Sequence, residues 1–255
     1  MRQALLLLLF ALTVACHNEE EVLPAPAPSA NGPGPLIPPE TPQQDNNPPF
    51  DVGAESFQYG SFRGMPYRVL VPKDYSSAKI YPLHIFLHGI GERGTDNEAQ
   101  LNVGAAHFEA DSIRQAYPAF IIFPQCPDSH FWFNEAMTNQ LRALIDSVVM
   151  HPNIDKKNIS IGGFSMGAYG TFAMVARNPT LFRSAIAISG DGDETKADRM
   201  SESKWRLFAG ARDSVVPSRK TEKMAKALLK AGASVSFTLY PDADHGGTWV
   251  HALSE

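Results

Sequence analysis

Five residues, Gly163-Phe164-Ser165-Met166-Gly167, set a serine between two glycines in the spacing G-x-S-x-G. A serine hydroxyl is a poor nucleophile until a base takes its proton. With such a base, the chemistry is attack on a carbonyl and passage through an acyl-enzyme. The apolar run Ile159-Ser160-Ile161-Gly162 precedes the serine, and the helical pattern Ala168-Tyr169-Gly170-Thr171-Phe172-Ala173-Met174 follows it. Strand, sharp turn and helix lift a serine to the C-terminal edge of a sheet. Flanking glycines let other backbone come close. The helix N-terminus beneath the hydroxyl favours a developing anion. A glycine-rich turn that merely tightens a strand-helix unit is the plainer alternative.

The base should be a histidine after the serine, with an acid between them in chain order. Only two histidines lie downstream. His245 sits in Pro241-Asp242-Ala243-Asp244-His245-Gly246-Gly247, read here as a loop, and His251 falls in a final helix near the chain end. His245 is the expected base. The acid must hold the imidazole tautomer and stabilise the imidazolium. Asp213 follows the apolar run Trp205-Arg206-Leu207-Phe208-Ala209 and precedes a helix start at Val215-Val216-Pro217, which places it at the same sheet edge. Asp191 and Asp193 follow the preceding strand and compete for the role; Asp242 and Asp244 are too near His245 in one loop to reach its far nitrogen.

A tetrahedral intermediate carries a negative oxygen that two backbone N–H groups should receive. One comes from Met166, directly after the serine. The other comes from the loop His88-Gly89-Ile90-Gly91-Glu92-Arg93-Gly94, with Ile90 as the expected donor and Gly89 next. His88 and His84 read as packing or hydrogen-bonding residues rather than catalysts. Glu92 and Arg93 either orient this loop or form a surface ion pair. Phe131-Trp132-Phe133 follows another strand, so Trp132 is a candidate substrate contact, with anchoring of the next helix as the alternative. Gly89 is a second candidate contact. Trp249 reads as packing for the last helix.

These residues need a scaffold. Leu83–Leu87, Ala119–Phe123, Asn158–Gly162, Ser184–Ser189, Trp205–Ala209 and Val235–Tyr240 are short apolar runs of the kind buried on both faces of a parallel sheet. Phe57–Tyr59 and Pro66–Val71 suggest an opening hairpin. Glu135–Met150, Met166–Arg177 and Val216–Ala231 carry helical periodicity; in the first, Met137, Leu141, Leu144, Ile145 and Val148 recur at three and four. Strands alternating with helices predict an α/β fold with an antiparallel edge and no long insertion.

The ordered serine, acid and histidine resemble the α/β-hydrolase superfamily over about residues 57–250. Phe86-Leu87-His88-Gly89-Ile90-Gly91-Glu92-Arg93-Gly94-Thr95-Asp96-Asn97 and Phe123-Pro124-Gln125-Cys126-Pro127 are similar to bacterial carboxylesterases and predicted peptidases of the phospholipase/carboxylesterase-like kind, with feruloyl esterases and polyhydroxybutyrate-depolymerase-like enzymes alongside. The resemblance implies an α/β-hydrolase fold: a mostly parallel twisted sheet flanked by helices, with no large lid domain. It also implies Ser165 as nucleophile, Asp213 as acid and His245 as base, acting on acetyl, feruloyl or short-chain acyl esters. Prolyl-oligopeptidase-like peptidases share this domain but usually carry a propeller before it. Here a proline-rich segment precedes it, which favours the esterase.

That segment belongs to a chain with unlike ends. Ala4–Leu12 is an unbroken apolar stretch after Arg2, and Leu12-Thr13-Val14-Ala15-Cys16 resembles a bacterial lipobox with Thr13 in place of the usual Leu. Residues 1–15 then form a lipoprotein signal, and Cys16 is the lipidated first mature residue; plain secretion is the alternative. His17-Asn18-Glu19-Glu20-Glu21 resembles the acidic export signal of surface lipoproteins of the Bacteroidetes type. Residues 23–49 hold ten of the twenty prolines, which makes 16–49 a tether and 50–255 the hydrolase domain. The expected location is the bacterial cell envelope, outer membrane or surface, with membrane contact only through the lipid.

Composition narrows the rest. A net charge of −5 leaves no basic footprint for nucleic acid. Two cysteines cannot build a disulfide scaffold, and Cys126 reads as a buried structural thiol. The eight histidines show no ligand spacing for a metal, and no cofactor is implied. The expected partner is a small ester or a glycan-linked ester. A peptidase and a catalytically dead envelope lipoprotein that binds glycan or lipid remain as alternatives.

Overall fold

The computed structural model describes residues 51, 54 and 56–254. The chain divides into two units, Met1–Gln44 and Asp45–Glu255. The expected signal segment at residues 1–15, Cys16 and the proline-rich stretch to residue 49 lie outside the described residues. No helix among the described residues is long and apolar enough to cross a membrane.

In the second unit an eight-stranded sheet forms from β1 (Gln58–Phe62), β2 (Met65–Leu70), β3 (Tyr81–Leu87), β4 (Phe120–Pro124), β5 (Ile154–Phe164), β6 (Ser184–Ile188), β7 (Lys204–Gly210) and β8 (Val235–Tyr240). Their order is β1-β2-β4-β3-β5-β6-β7-β8. β1 and β2 pair antiparallel, and so do β2 and β4; every later pair is parallel. The helices are α1 (Ala105–Glu109), α2 (Asp111–Ala116), α3 (Glu135–Val148), α4 (Met166–Arg177), α5 (Ser218–Lys230) and α6 (His245–Ala252).

The unbroken apolar runs are explained by the two-residue period of a strand. Leu83, Ile85 and Leu87 point into one buried cluster, while Phe86 between them joins the other. Phe120 and Ile122 split from Ile121 and Phe123 in the same way. One cluster receives α3, α4 and α5 through Met137, Leu141, Phe172, Met224 and Leu228; the other is closed by Val103, Ala105 and Ala252. A sheet buried on both faces needs apolar residues at successive positions. Each fully buried Leu, Ile or Phe contributes roughly 1.5–3 kcal/mol, so these two layers supply most of the drive to fold.

The strand order fixes where a site can form. From β3 the chain crosses to β4 on one side, then returns to β5 on the other. The segments leaving β3 and β5 therefore diverge and open a crevice at the carboxyl ends of the strands. The loop 88–94 and Ser165 leave the sheet at that point.

Local differences from the sequence reading have identifiable causes. α5 begins at Ser218 rather than Val216 because Asp213 Oδ1 accepts the N–H groups of Val215 (2.9 Å) and Val216 (2.8 Å), holding them in a turn. β5 extends back to Ile154 through the exposed Lys156 and Lys157, with an irregular register against β3 between Tyr81 and Leu83. α1 and α2, of five and six residues, are too short to show a helical period. His245 is not in a loop: it is the first residue of α6, and Asp244 caps that helix by accepting from Gly247 N–H at 2.7 Å. Two glycines in the first turn, poor helix formers, concealed where this final helix begins.

Candidate active site

Ser165 occupies the single position between β5 and α4, with φ 54° and ψ −120°. A side chain in that region costs about 1–3 kcal/mol and persists only where the surroundings enforce it. Here the enforcement is steric. A Cβ on Gly167 would lie 1.9 Å from the Leu87 carbonyl oxygen, and one on Gly163 would lie 2.5 Å from the Gly167 backbone. Strand β3, the elbow and α4 thus meet backbone to backbone, and only glycine fits at both positions. Ser165 N–H donates to Ile188 O at 2.9 Å, which ties the turn to β6.

Three strand ends bring the polar side chains together. His245 Nε2 lies 2.9 Å from Ser165 Oγ, after β5. His245 Nδ1 lies 2.7 Å from Asp213 Oδ2, after β7. The Asp213 side chain is fully buried, and His245 is 20% exposed. Burial alone would push the Asp213 carboxyl up; hydrogen bonds from His245 and the Val216 N–H outweigh it and hold the group below the usual carboxylate range. The ring of Phe164 packs on His245 with centroids 4.7 Å apart, and Trp249 stands behind Phe164 at 6.5 Å.

The competing acids serve elsewhere. Asp191 pairs with Lys220 at 3.5 Å. Asp193 caps the 3-10 helix 194–200 and pairs with Lys196 at 3.0 Å. Asp242 pairs with Arg212, and Asp244 caps α6. His251 packs on Tyr240.

Ile90 and Met166 share one backbone property. Each is the first residue of a helical turn, Ile90 of the 3-10 helix Ile90–Glu92 and Met166 of α4. Such N–H groups have no intrahelical acceptor and are available to an anion. Gly89 sits against the nucleophile: a Cβ placed on it would come within 3.7 Å of Ser165 Cβ. The Gly89 N–H, however, faces the Glu92 carboxylate, which folds back over it.

The loop is held by two of its own side chains, His88 and Arg93, and by Trp132 and Gln125 from outside it. The Cys126 N–H donates to His88 Nε2 at 3.0 Å, so Nδ1 carries the proton and donates to Gly89 O at 2.6 Å. Burial keeps His88 neutral, lowering its pKa to about 4. Trp132 Nε1–H donates to His88 O at 3.2 Å. Arg93 donates to the carbonyls of Ile90, Asp128 and His130 and lies over the Phe131 ring. Gln125, fully buried, donates to Glu92 O and Asp96 Oδ1 and accepts from Asn97 N–H.

One expectation changes in this light. Trp132 is completely buried and braces the loop from inside, so it does not line a surface that a substrate reaches. The exposed aromatic is its neighbour Phe133, stacked on Phe131 and 6.0 Å from Tyr169. Sequence reasoning assigns Gln125 no role beyond its place in Phe123-Pro124-Gln125-Cys126-Pro127; a lone amide between apolar β4 and a cysteine is its signal. Cys126 is buried, with its thiol pushed up to about 12 by desolvation, which suits a structural role. His84 hydrogen-bonds Ser160 Oγ at 2.8 Å, far down the strand. Among the described residues no group of three or more His, Cys, Asp or Glu is placed to hold a metal ion.

Residues 128–249 match the model of the dienelactone hydrolase family. The match spans Ser165, Asp213 and His245 but begins after the loop 88–94. Among solved structures, a thermostable esterase is 33% identical with a TM-score of 0.74; the alignment covers 79% of this chain and 60% of that one. An acylaminoacyl peptidase from Pyrococcus horikoshii (16%, TM-score 0.60, 78% and 40% covered) and Est1E from Butyrivibrio proteoclasticus (13%, 0.59, 78% and 95%) share the fold. The chain thus spans somewhat less than two thirds of the esterase and well under half of the peptidase. No curated protein sequence matches it.

Proposed function

Because the chain carries a dienelactone hydrolase family domain of the α/β-hydrolase superfamily, we propose that it is a serine hydrolase of carboxylic esters. The observation that carries this reading is the continuous relay from Ser165 Oγ to His245 Nε2 (2.9 Å) and from His245 Nδ1 to Asp213 Oδ2 (2.7 Å). Likeness to a thermostable esterase supports ester over peptide bonds.

In this mechanism Ser165 Oγ attacks the ester carbonyl carbon while His245 Nε2 takes the hydroxyl proton. Asp213 accepts the Nδ1–H and stabilises the imidazolium. The N–H groups of Ile90 and Met166 receive the oxyanion. Collapse breaks the C–O bond, and the departing alcohol takes the proton from His245. Water then attacks the acyl-enzyme, giving its proton to His245, and the second collapse releases the carboxylic acid and restores the serine.

Ser165→Ala should lower kcat on p-nitrophenyl acetate by roughly 10⁶-fold, as in other serine triads. It should also abolish covalent labelling by a fluorophosphonate. Turnover or labelling equal to the parent protein would refute the assignment. A panel of acetyl, feruloyl and short-chain acyl esters beside small peptides then ranks the substrates.

A further inference from the structure

Glu92 ends the one-turn helix after Gly89, and its side chain turns back over the loop. The carboxylate faces the N–H groups of Gly89 and of Glu92 itself, the return arm of a capping box. A methyl carbon placed on Gly89 would touch Glu92 Oε2 at 3.0 Å and Ser165 Cβ at 3.7 Å. A carboxylate oxygen therefore stands within about 7 Å of the nucleophile's Cβ, close enough for like charges to repel in a half-buried site. No ion pair neutralises it among the described residues: the guanidinium of the adjacent Arg93 is taken by the carbonyls of Ile90, Asp128 and His130. Burial raises the carboxyl's pKa, and the two N–H groups only partly offset that, as expected for a charge with dipoles but no counter-ion around it.

We propose that Glu92 sets the charge preference of this site, turning away esters whose acyl group carries a carboxylate and admitting neutral ones. The carbonyl under attack must lie between Ser165 and the N–H groups of Ile90 and Met166. An anionic acyl chain bound there brings a second negative charge beside Glu92, and the tetrahedral intermediate adds a third. The penalty grows as the reaction proceeds, so it falls on kcat/KM. A neutral acyl chain meets no such penalty. The proposal rests on the ester-hydrolase reading above, but its readout is a ratio between two esters and is independent of the absolute rate.

The test pairs p-nitrophenyl hexanoate with mono-p-nitrophenyl adipate, which share a leaving group and differ by a terminal carboxylate. For the full chain, the ratio of kcat/KM for adipate over hexanoate should be well below one. Glu92→Gln keeps the length and the acceptor for the Gly89 N–H but removes the charge; it should raise that ratio about tenfold. Glu92→Asp should retain the parent ratio. Glu92→Ala should raise the ratio as the Gln variant does, even where loosening the loop lowers both rates. An unchanged ratio in Glu92→Gln overturns the proposal while leaving the hydrolase intact. Failure of the parent chain to cleave either ester, or Ser165→Ala cleaving both as well as the parent, removes the function beneath it.

Discussion

The elbow around Ser165 and the loop around Ile90 meet at one sheet edge, yet different forces hold them. The elbow is fixed by backbone excluded volume: Gly163, Gly167 and the Leu87 carbonyl leave room for nothing larger. The loop is fixed by hydrogen bonds from side chains to its backbone, from His88 and Arg93 within it and from Gln125 and Trp132 beyond it. The first device is written in five consecutive residues. The second is spread over some forty positions. The family match follows this division, since it spans the elbow, acid and base and starts beyond the loop. Backbone packing makes a short, portable motif; a hydrogen-bonded loop leaves each protein free to set its own charge and shape beside the nucleophile.

The largest effect should fall on the elbow side. Asp213 Oδ1 accepts from Val215 and Val216, so its orientation is locked while Oδ2 faces His245. In Asp213→Asn the amide oxygen keeps those two backbone bonds and the NH₂ turns to His245. That NH₂ donates to Nδ1 and moves the imidazole proton to Nε2, where it can no longer accept from Ser165. We expect kcat to fall about 10⁴-fold with the fold intact. Asp191→Asn, paired with Lys220 instead, should stay within a few-fold of the parent. Equal losses in the two variants would mean that the tautomer is set elsewhere.

This contrast also accounts for what was legible beforehand. Ser165, Asp213 and His245 were readable because each follows an apolar strand in the order the fold demands, and the sheet with its antiparallel edge was readable from the same runs. The choice among Asp191, Asp193 and Asp213 needed strand ends to be placed side by side. Trp132 read as a substrate contact because position along the chain says which edge a residue reaches, not whether its side chain turns inward. The engagement of the Gly89 N–H by Glu92 depends on a backward turn of one side chain, which no pattern of types reveals. The short α1 and α2 lie below the length at which a helical period is visible, and the glycines of its first turn concealed where α6 begins.

On the loop side, acid should act through His88. Its folded pKa of about 4 lies below the ordinary 6.5 because the neutral ring is buried between the Cys126 N–H and the Gly89 carbonyl. Above pH 6.5 neither folded nor unfolded chain binds this proton, and the full stability is present. As pH falls below 6.5 the unfolded chain binds it first, so stability drops until about pH 4. The loss from His88 approaches roughly 3 kcal/mol there, and His84, lowered to about 4 as well, works in the same direction. Asp213 has its folded pKa held down, so its contribution is fully present above the ordinary carboxylate value and is lost as pH falls from there through the folded one. Urea unfolding at pH 7.5, 5.5 and 4.5 should therefore show stability declining well before carboxylates protonate. A flat profile down to pH 4.5 would show that the ring is not held neutral.

The smallest effect tests whether the two regions are mechanically joined. Trp132 touches both: its Nε1–H reaches the His88 carbonyl at 3.2 Å, and its Cβ stands 2.4 Å from where a Cβ on Gly170 of α4 would lie. Trp132→Phe keeps an aromatic wedge against α4 and deletes the donor to the loop. A buried carbonyl that loses its partner costs about 1 kcal/mol, more with the space the indole vacates. If the Ile90 N–H owes its aim to this brace, kcat on p-nitrophenyl acetate should fall several-fold while KM stays near the parent value, because a misplaced oxyanion donor is felt in the transition state rather than in binding. A variant that loses stability alone, with kcat untouched, would mean that the elbow's packing positions the loop without help, and the contrast between the two regions would then apply only to folding.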